Sequence, residues 1–194
     1  MWRFHVITGV LAVVVGVGLV AGCEQEAARS ADAGDGDAAA VVTTATVELV
    51  ADAQAALDQI LVSYLAVGER LAADEFEGVV AELATLHDAA HDLGGSDAPG
   101  IADAAHAVAS PVHHVPEDLD EARELFAALS EAVIALTELA PPSDAAAPTL
   151  YRGQCPMVEA DWLQTEERVV NPYMGKSMLR CGTVEPAAGT VERG

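Results

Sequence analysis

Residues 150–182 read LYRGQCPMVEADWLQTEERVVNPYMGKSMLRCG, and the fold class turns on this stretch. It follows a long run of Ala-rich, acidic sequence with helical apolar spacing, and the composition changes abruptly where it begins. Two of the chain's three cysteines, three of its four methionines and two of its three tyrosines fall inside it, with one of the two tryptophans. The sulfur donors come as Cys155-x-Met157 and then Met174-x3-Met178-x2-Cys181. Thiolates and thioethers select Cu(I) and other soft ions over hard ones, so the grouping points to a metal before it points to catalysis. Read as a helix, 174–181 puts Met174, Met178 and Cys181 on one face. Two plainer readings stand beside that one. Methionine at helical spacing commonly fills a core, and a cysteine pair in an exported protein commonly forms a disulfide. A Cys155–Cys181 bridge would close a loop of about 26 residues, worth roughly 3 kcal/mol in the chain-entropy description.

Upstream, apolar residues recur at three-, four- and seven-residue steps. From about 44 to 72 the stripe is Val50, Leu57, Leu61, Tyr64 and Leu71, which predicts a long helix. Asp74 with Glu77 predicts a capped start for a second helix carrying Phe76, Val79, Leu83, Leu86 and Leu93, stopped by Gly94-Gly95. Ser96-Asp97-Ala98-Pro99 opens a third, shorter helix with Ile101, Ala105 and Val108, and Pro116-Glu117-Asp118 opens a fourth that ends at Pro141-Pro142. The expectation is a mainly α fold: an up-and-down four-helix bundle over 44–140, a linker at 141–149, and a small C-terminal aromatic and Cys/Met module at 150–182 packed on it. Tyr151, Trp162, Leu163 and Tyr173 are expected to pack against one end of the bundle, and 183–194 reads as a disordered tail.

The chain has 194 residues, 52% of them hydrophobic but only 4% aromatic, so its core must be built from Ala, Val and Leu, which favours helices. A formal charge of −22 excludes a nucleic-acid partner, whose phosphates demand a basic surface. No nucleotide-binding glycine motif, nucleophile elbow or Rossmann unit is present, and no carboxylate pair or serine stands at a catalytic spacing, so an enzyme is not expected. His87 and His91 lie at i, i+4, and His106, His113 and His114 follow. Such residues either ligate a divalent ion or line a solvated surface, and the spacing fixes no ligand count.

Two resemblances add to this reading. Cys155-Pro156-Met157, then Ala160-x-Trp162-Leu163, then Asn171-Pro172-Tyr173-x-Gly175-Lys176-x-Met178-Leu179-x-Cys181-Gly182 resembles the C-terminal pattern of a bacterial periplasmic domain of unknown function. That domain is found alone or appended to adaptor subunits of copper, silver and other heavy-metal efflux pumps. The resemblance implies a small helical periplasmic domain in heavy-metal handling. Near the N-terminus, Arg3, the apolar run Val6–Val20 and Val20-Ala21-Gly22-Cys23 resemble a bacterial lipoprotein signal peptide with its lipobox. This implies a signal peptide at 1–22, removed before Cys23, and acylation of the Cys23 thiol with palmitate-type chains. Residues 23–43, low in complexity and rich in Ala and Asp, then read as a flexible acidic tether. Glu24 after the lipid favours the outer membrane, facing the periplasm.

Together these readings predict a membrane-tethered periplasmic protein. It would bind Cu(I) or Ag(I) through Cys155, Met157, Met178 and Cys181, with Met174 an additional donor, and buffer or deliver the ion to an efflux adaptor or pump. The alternative is an interaction lipoprotein without metal, in which Cys155 and Cys181 form a disulfide that staples a partner-docking module.

Overall fold

The computed structural model describes residues 46–187. The expected signal peptide at 1–22, the lipidation site Cys23 and the tether at 23–43 lie outside the described residues.

Four helices form where the apolar spacing predicts them. Helix α1 (Ala51–Ala72) buries Leu57, Ile60, Leu61, Tyr64, Val67 and Leu71. Before it, residues 46–50 are not helical, and Val47 N donates to Leu139 O at 2.9 Å. Helix α2 (Val79–Leu93) begins behind Gly78, whose φ of 85° is natural only for glycine. The expected cap at Asp74 and Glu77 does not form, because Asp74 is itself turned to φ 53° and faces away to a different partner. Helix α3 (Ile101–Ala109) is followed by a short 3-10 turn, Pro111–His113. Helix α4 (Leu119–Leu139) is capped by Asp118, whose carboxylate accepts from Asp120 N at 2.9 Å and Glu121 N at 3.0 Å. Such a cap contributes about 1 kcal/mol.

The helices pack in chain order: α1 on α2, α2 on α3, α3 on α4. Between α1 and α4 the contact is slight, and the surface of α4 left open is covered by a sheet. Strands β1 (Tyr151–Cys155), β2 (Ala160–Gln164) and β3 (Thr183–Pro186) form an antiparallel sheet in the order β2-β1-β3. The mainly α bundle is therefore corrected to four helices plus a three-stranded antiparallel sheet, an α+β arrangement. Residues 183–186, the start of the expected disordered tail at 183–194, are the edge strand β3, and 188–194 lie outside the described residues.

The reason for the difference is local. Asn171 accepts the N–H groups of Tyr173 (2.9 Å) and Met174 (3.1 Å), which starts a turn but not a helix. Gly175 then takes φ 55°, breaking any helical run through 174–181. Only the three-residue 3-10 turn Gly175–Ser177 forms there, so Met174, Met178 and Cys181 do not share a helical face.

The sheet belongs to the same core as the helices. Trp162, Leu163, Cys155 and Tyr173 are buried together with Tyr64, Phe126 and Leu129. Full burial of such side chains stabilises by roughly 1.5–3 kcal/mol each. The Trp162 ring lies flat over Gly153 in the paired register, where a Cβ would stand 2.3 Å from the indole. The connection from α4 to β1 is fastened as well: Ser143 donates through N (2.9 Å) and Oγ (2.5 Å) to the Asp58 carboxylate on α1.

Candidate soft-metal site at the end of the sheet

The β1–β3 register decides where the sulfurs lie. Gln154 pairs with Thr183, so the chain entering β3 passes alongside Cys155 at the end of β1. Gly182 makes this approach possible: its φ is 121°, and a Cβ there would sit 2.3 Å from Gln154 O. Cys181 thus comes within one residue of register of Cys155. The turn joining β1 to β2 carries Met157, and Cys155 pairs with Ala160 at its base. Cys181 N donates to Met178 O at 2.9 Å, a turn that ties Met178 to the same end. Register and turns therefore bring the backbone at 155, 157, 178 and 181 toward one end of the sheet, with Cys155 level with Gly182 and Cys181 one residue beyond it.

Their exposure is graded. Cys155 is fully buried and Cys181 half-buried, and both are free thiols. Met157 is 62% exposed and Met178 42%, with Val158 beside them at 47%. Met174 stands apart from this gradient, half-buried and packed against the hydrophobic core. Among the described residues, no group of three or more His, Cys, Asp or Glu side chains is placed to hold a metal ion, so a site here depends on the thioethers.

The rest of the Asn171–Gly182 pattern has an architectural role. The buried Asn171 side chain donates to Cys181 O at 2.8 Å, and its backbone N donates to Leu179 O at 2.9 Å, holding the loop closed on itself. Arg123 on α4 donates through Nε to Pro172 O at 3.2 Å and through Nη2 to Leu71 O at 3.0 Å and to Asp74 Oδ1 at 2.5 Å. Asp74 also accepts Lys176 N at 3.1 Å. That backbone N–H, and after it Arg123, hold the Asp74 carboxyl below the usual range against partial desolvation. Gly175 is required here, since a Cβ would fall 1.8 Å from Asp74 Oδ1.

A buried hydroxyl relay supports the sheet from beneath. Leu163 N donates to the Tyr64 hydroxyl at 3.0 Å, which lies 2.8 Å from Ser130 Oγ. Tyr173 Oη lies 3.3 Å from Ser130 Oγ and 2.6 Å from Asp161 O. A carbonyl can only accept, so the Tyr173 hydroxyl donates to Asp161 O, with Ser130 Oγ at the longer distance on its donor side. Burial pushes both phenols well above their usual range. For Tyr173 the Ser130 hydrogen bond works against that rise, while nearby Asp161 and Cys155 add to it. Tyr64 stacks on Phe126 with centroids 4.8 Å apart.

Sequence reasoning missed Asp74, Arg123, Ser130 and Asn171 as organising residues. Ser130 carried a signal, a polar residue inside the apolar stripe of α4. Arg123 and Asp74 lie 49 residues apart and carried none. The histidines divide differently from the i, i+4 spacing: His87 meets His113, while His91 is exposed on α2.

An open groove of about 790 Å³ runs between α4 and the β1–β2 turn, bordered by Glu124, Glu131, Glu138 and Val158. Arg152 on its floor is already engaged, to Asp161 at 2.7 Å and Glu138 at 3.3 Å. Comparison with protein-family models, with curated proteins and with solved structures finds no match to this chain.

Proposed function

We propose that this protein binds a soft monovalent ion, Cu(I) or Ag(I), at the sulfur-bearing end of its sheet. It buffers the ion at the cell envelope, or delivers it to an efflux adaptor or pump, while tethered to the membrane by lipid on Cys23. The observation that carries the reading is the β1–β3 register, which brings the chain at Cys181 alongside Cys155 with Met157 in the adjoining turn. Two thiols and two thioethers are a donor set for Cu(I) and Ag(I) and a poor one for hard ions. The exposure gradient suits transfer. Buried sulfur holds the ion, and the exposed Met157 and Met178 are weak ligands that an acceptor can replace one at a time. Met174, half-buried and packed against the core, is not among these donors.

A second reading has its own support. The approach of the chain at Cys181 to the end of β1 leaves a disulfide to Cys155 as the rival, and the exposed Met157, Val158 and Met178 would then offer apolar surface to a partner protein. Cys181→Ser separates the two, because the half-buried position tolerates a hydroxyl. Metal binding predicts at least tenfold weaker Cu(I) affinity with an almost unchanged unfolding midpoint. A staple predicts that protein prepared without reductant loses about 3 kcal/mol.

A further inference from the structure

A second cluster of ligating groups lies away from the sulfurs, between α2 and the 3-10 turn at 111–113. The rings of His87 and His113 stand perpendicular with centroids 5.1 Å apart. Two imidazoles bound through nitrogen to one tetrahedral ion, with metal–nitrogen bonds of about 2.0–2.1 Å, have ring centres about 5.2 Å apart. The pair is already at that spacing. Each Nδ1 also has an oxygen beside it: His87 Nδ1 lies 3.5 Å from Asp88 Oδ1, and His113 Nδ1 lies 3.3 Å from Ser110 O. An acceptor at Nδ1 keeps the proton there and leaves the Nε2 lone pair for a ligand, the outer-shell arrangement typical of metal-bound histidine. The two rings border a hollow of about 280 Å³ whose other walls include Val80, Leu83, Val112 and Val115. Apolar walls lower the local dielectric and favour ligation over hydration.

We propose that His87 and His113 form an open divalent-ion site of the Zn(II) class, binding through their Nε2 atoms. No third His, Cys, Asp or Glu completes the set among the described residues. His114, which borders the hollow, directs its Nε2 to Glu121 at 3.7 Å. The remaining coordination positions are therefore filled by water or by a donor from an approaching molecule. Imidazole nitrogens suit Zn(II), and thiolate and thioether suit Cu(I), so this site takes a different ion from the sulfur end of the sheet. It stands or falls independently of that reading.

The test titrates Zn(II) into the full-length chain in detergent micelles against a chromophoric chelator. Excess Mg(II) is present to occupy surface carboxylates, and two-bond proton–nitrogen spectra follow the histidine rings. The expected result is one Zn(II) that shifts the Nε2 signals of both His87 and His113. His87→Gln and His113→Gln each weaken binding at least tenfold with unchanged circular dichroism, and His91→Gln, on the same helix, leaves it intact. His113 is exposed, so its variant decides the matter if His87→Gln fails to fold. Unmoved His87 and His113 signals at saturating Zn(II), or an equal loss in His91→Gln, would overturn the proposal and mark the uptake as capture by surface acids.

Discussion

The hydroxyl of Tyr64 on α1 accepts the backbone N–H of Leu163 on β2 at 3.0 Å, tying the sheet to the first helix across 99 residues of sequence. Removing that oxygen leaves a buried N–H without a partner and takes from Ser130 its 2.8 Å neighbour. A buried group left unsatisfied costs about 1–3 kcal/mol. Tyr64→Phe is expected to lower the free energy of unfolding by about 2 kcal/mol in a urea titration, with little change in its slope. A loss under about 0.5 kcal/mol would mean that water replaces the phenol and the relay carries no stability.

The same relay predicts the alkaline limit. Tyr64 and Tyr173 both have folded-state pKa values raised above the ordinary 10.0, so the unfolded chain gives up these protons first. Their contribution is intact below pH 10 and is lost progressively above it. Unfolding free energy is expected to fall above pH 10 by about 1.4 kcal/mol per pH unit for each phenol. Tyr173→Phe should remove about half of that slope while leaving the neutral-pH plateau flat. An unchanged slope in the variant would contradict the assignment.

Gly175 and Asp74 make the sharpest packing prediction. Gly175→Ala combines a left-handed φ of 55° with a Cβ placed inside the Asp74 carboxylate, so Asp74 must release Lys176 N or the loop must lift from α4. Strain and the lost contacts together should cost about 2–3 kcal/mol. Asp74→Asn retains much of the shape and should cost less. Because the Asp74 pKa is lowered in the folded state, its contribution holds at neutral pH and disappears as pH falls below its usual 3.8. Acid unfolding of Asp74→Asn should accordingly be less steep than that of the wild type.

The helices were legible because burial of one face leaves a 3.6-residue period, and Leu57, Leu61, Tyr64, Leu83, Leu86, Phe126, Leu129 and Val133 all lie where that period puts them, inside the core. Helix starts were less legible. Gly78 and Gly100 set two of them through positive φ, while the polar residues that resemble caps at Asp74 and Ser96 do other work. The sheet was missed because its strands are only four or five residues long. One of them carries Gly153, whose missing side chain makes room for Trp162 and hides the alternation. Methionine spacing predicts a helix at 174–181, yet Gly175 takes φ 55° in that stretch, which no right-handed helix allows. Of the candidate site, the sulfurs were visible as residue types. The approach of the chain at 181–182 to the end of β1 depends on strand register and on Gly182, which no local period encodes.

The most direct measurement is a Cu(I) titration of the reduced chain from Glu24 onward against a chromophoric competitor, beside the Met157→Ala, Met178→Ala double variant. Both methionines are exposed, so the variant should fold unchanged. One Cu(I) per chain is expected, held against the competitor, with at least tenfold weaker binding in the double variant. Failure of the reduced wild type to compete for Cu(I) would contradict it and leave the end of the sheet as a docking surface.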